Sequence, residues 1–327
     1  MSPPFNIEAL RIDAARATEQ ISATLRGQVL KDLRRRGVVV GLSGGVDSSV
    51  VAALCVRALG PRKVLGVMMP EQDSDPDSLR LGRLVAARLR IDSVLEDITP
   101  MLAASGCYRR RDEFIRRLFP EYGPGYRSKI VLRKVPGGPY NLSYLVVRSP
   151  DGGQTQARMP LAVYLGIVSA TSMKQRTRKQ IEYYHADRLN YAVAGTPNRL
   201  EYDQGFFVKN GDGAADIKPI AHLYKSQVYQ LAEHLDVPEE IRRRPPTTDT
   251  YSLAQTQEEF YFGISLQKLD LCVYALDHGV SAAQAAPAVG LTVEQVEEVY
   301  RDIAGKRSST RYQHEPPMLV EQVSKAG

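Results

Sequence analysis

The chain of 327 residues has no tryptophan, only three cysteines and no long hydrophobic run. The cysteines, Cys55, Cys107 and Cys272, lie far apart and form no Cys-x-x-Cys pair. This pattern disfavours a disulfide framework, a zinc site or a cysteine-bound iron–sulfur cluster. No apolar stretch approaches the roughly 20 residues that span a bilayer, and residues 1–20 lack the apolar middle of a secretion signal. We therefore expect a cytoplasmic protein with no membrane partner.

Composition points to a globular protein that binds an anionic partner. Hydrophobic residues make up 43% of the chain and charged residues 24%, enough for one large domain or two small ones. The net charge is +6, and basic residues cluster at 109–111, 116–117, 127–134 and 174–179. Such a surface suits a nucleic acid or a substrate with several phosphates. Because stacking aromatics are sparse there and no known nucleic-acid module is present, we favour the phosphorylated small molecule.

The most informative segment is the Ser-Gly-Gly turn within residues 38–50, VVVGLSGGVDSSV. β-Branched residues enter this turn and a helical pattern leaves it, which predicts a strand, a tight loop and a helix N-terminus. Backbone N–H groups at such a place bind anions, and glycine permits a close approach to phosphate. Asp47 is placed to hold a magnesium ion. The residues predicted to bind phosphate are Ser43, Gly44, Gly45, Ser48 and Ser49.

Buried strands alternate with helices in the first hundred residues. Strands are predicted at 38–42, 64–69 and 93–98, with helices between them. This alternation predicts an α/β fold with a doubly wound, mostly parallel sheet of Rossmann-like type, in which ligands bind at the carboxyl ends of the strands. The Ser-Gly-Gly loop lies at such an end.

Residues 106–160 interrupt the alternation. Two alternating stretches, 129–135 and 141–148, are joined by Pro-Gly-Gly-Pro and predict a β-hairpin insertion or flap. The α/β pattern then resumes with a predicted helix, a short strand, a buried stretch and a second helix, at 161–189, 191–195, 217–220 and 224–235. We expect one domain over residues 1–327 that ends in a helical C-terminal extension at 279–327.

A second motif, GTPNRLEYDQGFFVKNGDG, occupies residues 195–213. It places a Gly-Thr after a predicted strand and a glutamate five residues beyond the threonine. Together with the SGGVDSS loop, a lysine at a helix start and the PPTTDT segment at 245–250, it resembles the ammonia-dependent NAD synthetase family. That family lies in the ATP pyrophosphatase, or adenine nucleotide alpha-hydrolase-like, superfamily. The resemblance covers most of the chain, but residues 106–160 have no counterpart in the compact version of the pattern.

The resemblance implies a ligase that makes an amide in two steps. The carboxylate of deamido-NAD attacks the α-phosphate of ATP to give an adenylate and pyrophosphate, and ammonia then displaces AMP to give NAD. ATP and Mg²⁺ are therefore implied ligands. A homodimer is also implied. Because we expect no attached glutaminase domain in a chain of this length, the ammonia would be free or supplied by a separate glutaminase.

The resemblance also implies roles for individual residues. Asp47 and Glu201 would bind magnesium, which prefers oxygen ligands, and Asp47, Lys225 and Thr247 would be the catalytic residues. The residues implied to contact ATP besides the Ser-Gly-Gly loop are Thr196, Lys225, Thr247 and Thr248. Those implied to bind the dinucleotide acid are Arg176, Arg178, Lys209, Asp212 and Asp216.

Two departures from the family pattern leave the acceptor acid open. Ser172 stands where the family usually has asparagine, and residues 246–249 read Pro-Thr-Thr-Asp. An amide synthetase for a different carboxylic acid is therefore the first alternative. A tRNA-modifying adenylase is disfavoured by the lack of a catalytic cysteine pair and by the GFFVKNGDG segment. A nucleotide sensor with a decayed site is disfavoured because Asp47, Glu201 and Lys225 are all present. Read singly, Lys209 and Asp216 also fit surface or boundary positions.

Overall fold

The computed structural model describes residues 5–134, 141–247 and 250–321. Within these ranges the strands are β1 Val38–Gly41, β2 Val64–Met68, β3 Asp92–Leu95, β4 Arg127–Lys134, β5 Asn141–Arg148, β6 Gln154–Arg158 and β7 Ala192–Ala194. The α-helices are α1 Ala14–Gly27, α2 Val46–Leu59, α3 Pro76–Leu89, α4 Thr99–Ala104, α5 Cys107–Arg116, α6 Leu161–Leu189, α7 Arg199–Asp203, α8 Lys225–His234, α9 Glu239–Arg243, α10 Leu266–Asp277, α11 Ala282–Val289 and α12 Val293–His314.

The central sheet is parallel and has the strand order β3-β2-β1-β7. Val38, Val39 and Val40 of β1 are fully buried, as expected for a parallel strand covered on both faces. Val38 and Val40 pack with α1, α2 and α8, whereas Val39 packs on the opposite face with α4 and α6. The predicted α/β fold with a doubly wound parallel sheet is confirmed.

The predicted end of the third strand is wrong, for a local reason. The third strand ends at Leu95 rather than at residue 98, because the Asp97 side chain accepts the backbone N–H of Thr99 at 2.9 Å and α4 begins there. The stretch 217–220, predicted to be buried, has Ile217 and Ile220 buried and contributes one bridge, between Ile217 and Ala194. Proline at position 219 has no N–H to continue the ladder.

The insertion forms an antiparallel sheet of three strands, in the order β4-β5-β6, rather than the predicted two-stranded hairpin. The Asp151-Gly152-Gly153 turn allows the extra strand, since Gly152 has a φ of 91°. This sheet has its own apolar core with the neighbouring helices, which includes Ile115, Ile130, Leu145 and Ile167. Positions 135–140 of the predicted hairpin lie outside the described residues.

The C-terminal part is helical, as predicted, and α10, α11 and α12 pack around a separate apolar cluster. The three cysteines are buried and unpaired, and burial raises the pKa of the Cys55 thiol to about 12. They therefore behave as small apolar residues. In the parts of the chain that the structure describes, no helix has both the length and the apolar character needed to cross a membrane.

Candidate active site

A cavity of about 240 Å³ opens at the carboxyl ends of β1, β2 and β7. This is the edge at which open α/β sheets bind their ligands. The sequence-predicted residues that line it are Ser43, Gly45, Asp47, Ser48, Arg178, Thr196, Glu201, Asp212, Lys225 and Thr247. Residues from five separate stretches of the chain therefore meet in one cleft.

The Ser-Gly-Gly loop is shaped by its glycines and serines. Gly44 has a φ of 74°, and a Cβ atom there would lie 2.6 Å from the backbone oxygen of Ser78, so this position requires glycine. The hydroxyls of Ser48 and Ser49 donate to the backbone oxygen of Gly45 at 3.1 and 2.8 Å. The side chain of Ser43 is exposed. Gly44 and Ser49 hold the loop without lining the cavity, whereas the other three predicted phosphate-binding residues line it.

Two carboxylates and a buried lysine meet at the start of α2. The Lys225 ammonium, whose side chain is 2% exposed, donates to Asp47. The Asn198 side-chain amide donates to Oδ1 of Asp47 at 3.2 Å and to Oε2 of Glu201 at 3.0 Å, so that it connects the two acids. Gln257 donates to the other Glu201 oxygen at 2.8 Å. The structure thus brings together Asp47, Glu201 and Lys225 from α2, α7 and α8.

The charges of this cluster are strongly coupled. Burial, followed by the charge of Asp47, raises the pKa of Glu201 to about 7, against the lowering effect of Lys225. Burial alone would lower the pKa of Lys225, but Asp47 and Glu201 outweigh it and the pKa is raised. The ammonium therefore stays charged, while Glu201 shares its environment with a like charge. Such a pair of acids favours a cation between or beside them.

Thr247 reaches the cavity from the segment that follows α9. It pairs in antiparallel fashion with Thr256, and the backbone N–H of Gln257 donates to the oxygen of Pro246 at 3.2 Å. Arg244, on the same segment, also lines the cavity. Thr248, the other predicted ATP contact here, lies outside the described residues.

Two of the predicted acceptor-binding residues line the cavity. Arg178, on α6, donates to the backbone oxygen of Met69 at 3.3 Å. Asp212 accepts the backbone N–H of Val208 at 2.8 Å, and burial raises its pKa. Both side chains have an internal partner, which fixes their positions at the edge of the cleft.

The other three predicted acceptor-binding residues contact the protein away from the cavity. Arg176 is exposed and donates to the backbone oxygen of Lys209 at 3.3 Å. The Lys209 ammonium donates to two backbone oxygens at the end of α12, at 2.7 and 3.0 Å. Asp216 accepts the backbone N–H of Val193 in β7 at 2.7 Å. Their predicted role in binding the acid stays a prediction.

Several residues that line or support the cleft were missed by sequence reasoning. Asn198 has a signal, because Asn198 and Glu201 form the N-terminal capping box of α7. Lys179 and Glu182 form a buried ion pair of 2.5 Å on the cavity wall. Arg244 and Gln257 reach the cleft from distant segments, and no local pattern marks them.

The start of α8, which presents Lys225, is held by Asp270 of α10. The carboxylate accepts the backbone N–H groups of Lys225 and Ser226 at 3.1 and 2.7 Å. Burial raises the pKa of Asp270 to about 6, although the N–H of Ser226 acts in the opposite direction. The position of the Lys225 backbone therefore depends on a fully buried acid from another helix.

Replacing Asp270 by alanine should lower the free energy of unfolding by about 2–4 kcal/mol, because two buried N–H groups lose their acceptor. The matched control is Asp13→Ala, which removes an exposed acceptor of the Arg16 N–H at the start of α1 and should cost about 1 kcal/mol. Denaturant unfolding at about pH 8, where Asp270 is ionised, measures both losses. Equal losses would contradict the importance of the buried cap.

The parallel sheet, with the Ser-Gly-Gly loop after β1 and the acid–lysine cluster at its carboxyl edge, defines an α/β protein of the doubly wound, Rossmann-like class. Sequence comparison makes the assignment specific. The model of the NAD synthase family matches residues 17–116 and 164–317, and the chain belongs to this family.

Individual relatives agree with this assignment. The NH(3)-dependent NAD(+) synthetase of Rhizobium meliloti (strain 1021) is 64% identical over 320 residues, which cover 98% of this chain and 96% of the relative. NMN synthetase from Francisella tularensis has a similar structure, with a TM-score of 0.64 and 21% identity over 94% of this chain and 99% of that chain. The structure of the NH3-dependent NAD synthetase from Campylobacter jejuni in complex with the nitrate ion is also similar, with a TM-score of 0.62 and 22% sequence identity. The match covers 95% of this chain and 100% of that chain. At these identities the two structures support the fold alone.

Proposed function

We propose that the chain is a ligase that forms a C–N bond, converting deamido-NAD, ATP and ammonia into NAD, AMP and pyrophosphate. The observation that carries this proposal is the meeting of Asp47, Glu201 and Lys225 beside the Ser-Gly-Gly loop, in a chain that belongs to the NAD synthase family. The high identity to the R. meliloti NH(3)-dependent NAD(+) synthetase supports deamido-NAD as the acid and ammonia as the nitrogen donor.

In the first step a carboxylate oxygen of the acid bonds to the α-phosphorus of ATP, and the bond from that phosphorus to the bridging oxygen of pyrophosphate breaks. Negative charge develops on the pyrophosphate. The residues at the start of α2 and Lys225 line the cavity, and we propose that the N–H groups there and the Lys225 ammonium face this charge. Preorganised donors of this kind stabilise the transition state, and the cleft holds the two reactants together.

Asp47 and Glu201 fit a magnesium site. Among residues 5–134, 141–247 and 250–321 no group of three or more acids, histidines or cysteines could hold a metal by itself. Magnesium, however, usually binds one or two carboxylates and completes its shell with phosphate oxygens and water. Bound there, it would neutralise charge on the phosphates. Asp47 and Glu201 would hold it, and Asn198 keeps their oxygens close together.

In the second step the nitrogen of ammonia bonds to the acyl carbon, the acyl–oxygen bond to AMP breaks, and the nitrogen loses a proton. Arg178 and Asp212, at the edge of the cleft, are the side chains we propose for binding the acid. We propose Thr196 and Thr247 as contacts for ATP. Free ammonia or a separate glutaminase would supply the nitrogen.

We also propose that the protein acts as a homodimer. Arg176, Lys209 and Asp216 lie away from the cavity, so a role for them in binding the acid requires either a long substrate that extends beyond the cleft or a neighbouring subunit. A cytoplasmic location stays a prediction from the sequence.

Release of AMP tests the proposed function. The purified chain is incubated with ATP, Mg²⁺ and ammonium, and AMP is measured with deamido-NAD, with nicotinic acid mononucleotide or with no acceptor. We expect AMP and NAD to form in equal amounts only with deamido-NAD. AMP formation with the mononucleotide instead would support the alternative acid, and AMP at background with every acceptor would contradict the ligase assignment.

A further inference from the structure

The insertion is attached to residues 251–255, which adjoin Gln257 and Thr256, the pairing partner of Thr247. The match to the family model omits residues 117–163 and therefore the sheet of the insertion. We propose that the insertion is a brace that positions Thr247 and Gln257 beside the phosphates of ATP, with Tyr251 as its principal anchor. The inference rests on the proposed function, because it takes ATP as the ligand of the cleft.

The first attachment is a set of hydrogen bonds along the edge of β4. The backbone N–H of Ser128 donates to the hydroxyl of Ser252 at 2.9 Å, and the N–H of Leu253 donates to the oxygen of Ser128 at 3.2 Å. The Gln255 amide donates to the backbone oxygen of Ile130. These bonds fix residues 252–255 on a strand that belongs to the insertion.

The second attachment is apolar. Tyr251, only 6% exposed, lies in the core of the insertion beside Ile130, Leu145 and Ile167. Its ring stacks at a tilt against Phe260, with centroids 5.3 Å apart. An aromatic side chain buried in this way contributes a few kcal/mol to the free energy of unfolding. Removing it would release the segment from the insertion.

A buried charge cluster outside the insertion also holds the segment, at residue 250. The Lys174 ammonium, fully buried on α6, donates to the backbone oxygen of Thr250 at 2.8 Å and to Glu71 and Asp73 at 2.9 and 2.7 Å. Arg111, on α5, also pairs with Asp73. The oxygen of residue 250 is thus held by a cluster that α5, α6 and the loop after β2 share.

These attachments end within a few residues of the site. Thr256 pairs with Thr247, and Gln257 donates to Glu201 at 2.8 Å. A shift of residues 250–255 would therefore move one proposed ATP contact and one hydrogen bond to a proposed metal ligand together. Displacements of about 1 Å in such positions reduce rates by up to about 100-fold. Tyr251 and Gln255 are positioning residues in this scheme, since neither lines the cavity.

The experiment compares Tyr251→Ala with Tyr251→Phe, Gln255→Ala and a matched aromatic truncation, Phe119→Ala. Phe119 belongs to the same core and is 8% exposed, so its loss should destabilise the insertion similarly without releasing the segment. We expect Tyr251→Ala to raise the KM for ATP roughly 10-fold or more, with a smaller change in the KM for deamido-NAD. Gln255→Ala should act in the same direction, and Tyr251→Phe should restore values near the parent protein.

Thermal unfolding of each variant and calorimetric binding of a non-hydrolysable ATP analogue accompany the kinetics. Equal KM values for ATP in Tyr251→Ala, Gln255→Ala and the parent protein would overturn the brace. Equal increases in Tyr251→Ala and Phe119→Ala would also overturn it, since they would reflect lost stability alone. These outcomes require an active parent protein, so they are distinct from failure of the proposed function, in which the parent protein itself forms no AMP.

Discussion

Replacing Asp47 by asparagine should lower kcat for AMP formation about 10³-fold while the chain stays folded. The side chain lies in the first turn of α2, where its carboxylate faces Lys225 and accepts from Asn198. Asparagine keeps an oxygen that can accept from Asn198. It removes the negative charge with which this side chain would hold a magnesium ion, so the loss should appear in turnover.

The control for this substitution is Asp77→Asn. Asp77 lies in the first turn of α3, which follows β2 just as α2 follows β1, and its side chain is 63% exposed. We expect less than about a twofold change in kcat there, because exposed surface charges contribute little. Thermal unfolding without nucleotide checks that both variants fold. Near-normal turnover of the folded Asp47→Asn protein would remove this residue from the metal site.

The fold and half of the cleft could be predicted because their signals are local. The run of β-branched residues before Ser43, the glycines that follow and the helical pattern after them specify a strand, a turn and a helix within residues 38–50. A parallel βαβ unit then places the loop at the ligand-binding edge of the sheet. The family resemblance supplied the partner residues Glu201 and Lys225, which periodicity alone does not connect to Asp47.

The supporting contacts could not be predicted, because each joins residues that are distant in sequence. Gln257 reaches Glu201 across 56 positions, and Lys174 reaches Glu71 across 103. The sequence around Gln257 or Lys174 contains no pattern that distinguishes a buried, hydrogen-bonded side chain from a solvated one. The β6 strand was missed for another reason. Its short, polar sequence gives a weak strand signal, and pairing with β5 determines its conformation.

The predicted acid-binding residues illustrate the limit of a motif carried over from a family. Asp216 follows the Gly-Asp-Gly motif, yet its carboxylate accepts a backbone N–H of β7. Lys209 caps the end of α12, a helix that begins more than eighty positions later in the chain. A motif fixes residue types and order, but long-range packing decides which side chains remain directed at the cleft.

Replacing Glu201 by glutamine should lower kcat about 100-fold and should also remove the contribution of this group to the pH dependence of stability. Glu201 has an ordinary pKa of 4.5, which the fold raises to about 7. The folded chain therefore keeps this proton where the unfolded chain has lost it. The stabilisation that results is complete below pH 4.5 and is lost as the pH rises through about 7. Glutamine cannot titrate, so without metal the variant should become the more stable protein above about pH 7.

With magnesium and ATP bound, the parent protein should instead be more stable than Glu201→Gln. The reason is that the ion requires the ionised carboxylate, and its binding releases the proton of that carboxylate. The apparent affinity of the parent protein for Mg²⁺ with a non-hydrolysable ATP analogue should rise between about pH 6 and 8, whereas that of Glu201→Gln should stay low and flat. Glu258→Gln, at an acid outside the cavity that accepts the N–H of Leu266, is the control and should follow the parent protein. If the affinity of Glu201→Gln for Mg²⁺ rose with pH as that of the parent protein does, a group other than Glu201 would titrate and other residues would bind the metal. A variant that is more stable without the ion and weaker in binding it is the result expected when a buried acid that would hold the metal is removed.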